Sequence, residues 1–122
     1  MLKITQTGEG VKLSLTRGDT AILALHIKNA DGTDYTVAAE DEVRVQVRKH
    51  PITNSQASQL VFEGTVTVTD GVPIWTIRPE QSTIDAGTYY WDAQLTTGSG
   101  VVCTYLNGTL CIIAEVTVED DA

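Results

Sequence analysis

Apolar and polar residues alternate along most of this chain, and the period is two. Val43, Val45 and Val47 interleave with Arg44, Gln46 and Arg48, the clearest such run, so one face of a strand is core and the other is wet. Val11-Lys12-Leu13-Ser14-Leu15-Thr16 alternates in the same way, and Arg17-Gly18-Asp19-Thr20 separates it from Ala21–Lys28, which reads as strand, turn, strand. Asn29-Ala30-Asp31-Gly32 supplies turn residues, Asp34-Tyr35-Thr36 suits a short edge piece, and Glu40-Asp41-Glu42 an acidic loop. His50–Ser58 lacks periodicity and reads as an exposed loop. Leu60–Thr69 and Val72–Arg78 flank Asp70-Gly71, a two-residue hairpin signal. Pro79 then opens a single helical turn, with Ile84 expected to pack beneath it.

The stretch from Ile84 to Trp91 organises the rest. Asp85, then Gly87, then Tyr89 match the tyrosine corner of an immunoglobulin-like β-sandwich, in which a Tyr at the start of a central strand returns its hydroxyl to backbone upstream. Gly87 permits a positive-φ turn, Asp85 can bond nearby backbone N–H groups, and Trp91 stands where antibody domains carry their second cysteine. Beyond the corner, Tyr89, Trp91, Ala93 and Leu95 share the core face, and Tyr90, Asp92 and Gln94 the wet one. Gly98-Ser99-Gly100 turns the chain back. Pairing that strand along its whole length requires a final strand from Val101 past Thr109, with Asn107-Gly108 as a bulge. The expected fold is therefore all-β: an immunoglobulin-like sandwich of about seven antiparallel strands in Greek-key order, with one short helical turn. Residues 1–118 form one domain and 119–122 an acidic tail.

Composition narrows the partners. The 122 residues suffice for one domain with a core of its own, and 8 basic against 16 acidic side chains give a net charge of −8, which repels phosphate backbones and anionic lipid. Neither nucleic acid nor a membrane is expected as partner. The N-terminus enters alternating residues without an apolar signal region, and no apolar run approaches the roughly 20 residues that span a bilayer, so a soluble protein made in the cytosol is expected. Cys103 and Cys111 fit no zinc spacing. They would face each other across a three-residue hairpin at Leu106, or point apart across a two-residue one; on one long strand, the arrangement favoured here, they are free thiols beyond disulfide reach.

Each candidate for chemistry has a plainer reading. Arg17-Gly18-Asp19 is the integrin tripeptide, but a turn is needed there in any case. Asn107-Gly108-Thr109 fits the glycosylation pattern, which matters only in a secretory pathway. Glu40, Asp41 and Glu42 with Asp31 and Asp34 could offer oxygens to calcium, against a solvated acidic loop. His26, between apolar neighbours, reads as a packed residue, and nothing in the spacing joins His26 or His50 to a nucleophile such as Cys103. No catalytic residue, metal or cofactor is expected. Two surfaces remain as candidate interfaces. Arg44 and Arg48, with Lys49, are a basic cluster on an acidic protein. Cys111, Ile112, Ile113 and Ala114 are apolar on both faces of the last strand, which calls for a covering loop or a subunit interface.

Taken together, Arg17-Gly18-Asp19-Thr20, Asp31-Gly32, Val43–Val47, Ile77-Arg78-Pro79-Glu80, Gly87–Leu95 and Gly108-Thr109-Leu110 resemble the immunoglobulin-like N-terminal domain of siphophage baseplate upper proteins and related small phage or prophage tail proteins. The resemblance runs from about Arg17 to Val118 and rests on turns and strand starts. It implies a non-enzymatic virion building block that joins one tail or baseplate component to another or to copies of itself, located in the virion and made in the bacterial cytoplasm. The chain ends where longer baseplate proteins continue into helical or receptor-binding regions, so an adaptor or decoration role is implied rather than host recognition. An adhesive or carbohydrate-binding module of a bacterial surface protein is the alternative; an intracellular sandwich associated with an enzyme is a third.

Overall fold

Strict alternation of burial is what the period-two sequence produces. Val45 and Val47 are buried between outward Arg44, Gln46 and Arg48, and Tyr89, Trp91, Ala93 and Leu95 are buried along the strand after the corner. The computed structural model describes residues 3–7, 10–29, 31–50 and 60–115. The expected acidic tail, 119–122, and most of the loop read at 50–58 lie outside them.

Among the described residues the strands are β1 (Lys3–Thr7), β2 (Gly10–Thr16), β3 (Ala21–Ala24), β4 (Glu42–Arg48), β5 (Leu60–Glu63), β6 (Thr65–Thr69), β7 (Val72–Ile77), β8 (Gly87–Thr96) and β9 (Val102–Ile113), with one helical turn, α1 (Pro79–Ser82). They form a six-stranded sheet in the order β1-β2-β9-β8-β4-β5 and a three-stranded sheet in the order β3-β7-β6. This is an immunoglobulin-like β-sandwich. Leu13, Leu15, Val45, Val47, Leu110 and Ile112 of the larger sheet close on Leu23, Trp75 and Ile77 of the smaller. Trp91, at the position of the antibody domains' second cysteine, meets an indole from the opposite sheet: Trp91 and Trp75 of β7 have ring centroids 5.3 Å apart at an interplanar angle of 43°.

Four features depart from the sequence expectation, each for a physical reason. First, β2 and β3 do not pair. β2 runs parallel to β9, from Val11 beside Gly108 to Thr16 beside Ile113, while β3 joins β7, so the turn at Arg17–Thr20 carries the chain from one sheet to the other. β3 also ends at Ala24, although burial alternates on through Leu25 and Ile27.

Second, the expected strand Leu60–Thr69 is two strands. β5 pairs with β4 in the larger sheet and β6 with β7 in the smaller, and Gly64 is the crossing point. A Cβ there would stand 2.8 Å from both Trp75 Nε1 and the Val45 Cβ, so only glycine lets the chain pass over the core. The Asp70-Gly71 hairpin is as expected, with both residues at positive φ (51° and 77°), the geometry of a type I′ turn.

Third, the bulge in β9 is at Tyr105 and not at Asn107-Gly108. Ala93 pairs with Leu106 and Gln94 with Thr104, which leaves Tyr105 as the extra residue. Gly108 is needed for a different reason: a Cβ on it would fall 1.8 Å from the Val11 carbonyl oxygen, where β2 enters alongside β9. The bulge has a purpose in packing. Pro73 accepts from Leu25 N (2.8 Å) but has no N–H to return, and the Leu25 carbonyl instead faces Tyr105 Oη at 3.4 Å. Burial pushes the Tyr105 phenol up to about 12.

Fourth, Asp34–Thr36 is not a strand of any length; one bridge, Lys28 to Asp34, marks it. The loop is held instead by a second small core of Ile27, Val37 and Leu95 with Tyr35, Val43 and Tyr105.

Candidate functional site: the outward face of the larger sheet

The corner comes first because it sets β8, and β8 sets β9. Gly87 has φ 152°, and Tyr89, its side chain buried, donates from Oη to the Asp85 carbonyl at 2.6 Å. The Asp85 carbonyl is thus the working group of that residue. Trp91 Nε1 donates to Thr109 O (3.2 Å), tying the corner strand to β9. These four positions hold the fold and present no reacting group.

Pairing then determines which side chains share the outward face. Cys111 lies between Ser14 and Thr88; Thr109 lies between Lys12 and Tyr90, and Tyr90 faces Arg48; Asp92 lies between Asn107 and Gln46; Gln94 faces Arg44. Cys111, Ile113, Arg44 and Arg48 are therefore brought onto one face, with the apolar pair at one corner and Arg44 at the other. Ile113 is 48% exposed. Ile112 is not part of this surface: at 2% exposure it points into the core beside Leu110, because β9 alternates there like any strand covered on one side. Its apolar neighbours hid that alternation in the sequence.

The basic cluster is partly neutralised. Arg44 Nη2 donates to Glu63 Oε1 at 2.8 Å and Arg44 Nε lies 3.9 Å from Glu42 Oε1, and the Glu63 bond and charge hold the guanidinium proton more firmly still. Arg48 Nη2 donates to Gln46 Oε1 (2.9 Å). Burial raises the Asp92 carboxyl against the opposing pull of Arg48. The face is thus a mixed surface of small polar, apolar and paired charged groups.

The other candidates are occupied by the fold. Arg17 Nε donates to Ile84 O (3.0 Å), and its Nη1 donates to Glu115 Oε1 (2.6 Å); Ser82 Oγ donates to Asp19 O (2.7 Å). The Arg-Gly-Asp turn is thereby sewn to the corner and to the end of β9. Asp31 Oδ1 accepts from Thr33 N and Oγ1, Asp34 pairs with Lys28, and Asp41 accepts from Tyr35 Oη, Ala38 N and Gly98 N. Each carboxyl is held below its ordinary range by those bonds. Asp41 is accordingly a loop fastener, not merely part of a solvated acidic loop. His26 is exposed, contrary to the packed position expected of it, because it falls on the outward step of the Leu25–Ile27 alternation. Cys103 and Cys111 are free thiols, the first exposed.

No protein-family model matches the chain, and no curated protein does. Among solved structures, one of murine CRIg, an Ig-like domain, is similar at 12% sequence identity and a TM-score of 0.41, covering 94% of this chain and 97% of that one.

Proposed function

We propose that this protein is a non-enzymatic structural or assembly component of a phage or prophage virion, a tail or baseplate adaptor that acts through protein–protein contacts. The observation that carries the docking part of this reading is the outward face of the larger sheet, where Cys111 and the exposed Ile113 share one surface with Arg44 and Arg48. The virion part is supported by the resemblance of the turn and strand-start motifs to small tail proteins. Its partners are other virion proteins or further copies of the chain, and its place of work is the particle.

The test is incorporation. Particles assembled from a phage or lysogen encoding Ile113→Asp together with Arg44→Gln should lose the protein, while the purified variant stays folded with a melting temperature close to that of the wild type, since both side chains are exposed and Arg44 gives up only surface ion pairs. Normal incorporation of that double variant would remove this face from the account.

A further inference from the structure

The smaller sheet has a second surface of a different kind. Among the described residues β6 has one strand neighbour, β7. Leu25 N donates to Pro73 O, so Pro73 turns its backbone toward β3 and away from β6. Val68, opposite Pro73, therefore stands in a non-hydrogen-bonded pair, and by alternation so does Val66, opposite Trp75. The backbone N–H and C=O of both valines point off the edge of the sheet.

Edge strands of monomeric proteins are ordinarily blunted by Lys, Pro, a bulge or an inward charge. β6 reads Thr65-Val66-Thr67-Val68-Thr69 and has none of these; it is five β-branched residues with Val68 45% exposed. Two rows of the face it borders are built from uncharged residues. Thr65, Thr76 and Ile22 form one row and Thr67, Ile74 and Ala24 the next, with Ile22 68% exposed. On a chain of net charge −8, copies repel unless they meet where charge is absent. The strand is also a palindrome, which is the symmetry a two-fold contact demands.

We propose that β6 pairs antiparallel with β6 of a second copy about a two-fold axis at Thr67, joining two three-stranded sheets into one of six. That register sets Val66 against Val68 of the partner as a hydrogen-bonded pair, twice, and uses all four outward backbone groups. Thr67 meets its own counterpart in the close, non-hydrogen-bonded position. Arg78, which pairs with Glu80 through Nε at 3.3 Å, has Nη2 3.4 Å from Thr65 Oγ1, at the end of the strand that would meet the partner's Thr69 and the Asp70 that follows it. This inference does not rest on the virion reading.

The test uses the full chain in solution. Light scattering of the wild type across the micromolar range should give a mass twice 13.1 kDa. Thr67→Lys and Thr67→Glu should each be monomeric, and mixing the two should restore the dimer. Val68→Pro, which removes an N–H aimed off the edge and no hydrogen bond to β7, should also be monomeric with an unchanged near-ultraviolet circular dichroism spectrum. With both native cysteines changed to Ser, Thr67→Cys should oxidise to a disulfide-linked dimer. A wild type that stays monomeric, or a dimer that survives both Thr67→Lys and Val68→Pro, overturns the pairing; neither result bears on incorporation into particles.

Discussion

Single side chains show where this sequence spends its specificity. Tyr89→Phe removes a buried donor from the Asp85 carbonyl and should cost about 1 kcal/mol or more in urea unfolding. The two indoles allow a sharper comparison. Trp91 Nε1 has a bond to Thr109 O, whereas Trp75 Nε1 is buried without a partner among the described residues. Trp91→Phe should therefore cost more than Trp75→Phe, by roughly the 1 kcal/mol of one net hydrogen bond; equal losses would mean that Trp75 is not an orphan donor. Gly108→Ala drives a Cβ into the Val11 carbonyl and should cost at least the 1–3 kcal/mol typical of overpacking, about the most of any glycine in a strand here. The corner was legible in the sequence because Asp85, Gly87 and Tyr89 each have one dominant local use. Gly108 was not, since its reason lies in β2, almost a hundred residues away.

Elements whose partners are local were read well, and those whose partners are distant were not. The type I′ turn at Asp70-Gly71, the helical turn at Pro79 and the alternation of β4 and β8 follow from neighbouring residues. The switch of sheets at Gly64, the parallel entry of β2 and the bulge at Tyr105 depend on what lies across the core, and no local signal marks them. The loop between β3 and β4 is an element in this sense too. Asp41 holds it to the Gly98 turn, and its bonds to Tyr35, Ala38 and Gly98 lower the carboxyl in the folded state. A depressed folded value means that the contribution is fully present above the unfolded value of about 3.9 and is lost as pH falls through the folded one. Asp41→Asn should lower the melting temperature at neutral pH and shrink the gap from wild type in strong acid. A gap that stays constant with pH would mean that the charge of Asp41 contributes nothing.

For the molecule as a whole, the two sheets present two unlike surfaces, one of mixed charge around Ile113 and one of Thr, Val and Ile side chains around β6. The first was partly legible in the sequence: Arg44, Arg48, Cys111 and Ile113 do share a face, and Ile112 was misplaced because an apolar residue on either side conceals which way a strand turns. The second was not legible, since an edge is a property of the sheet order and β6 reads like any other strand. Both surfaces would serve the assembly role proposed above. The measurement that bears most directly on the proposed virion role is the protein composition of gradient-purified particles from a phage or lysogen carrying the gene, whose existence the proposal requires. The account predicts this protein as a stoichiometric component, present in a whole-number ratio to the tail proteins. Particles that are complete and infectious without it would contradict the account.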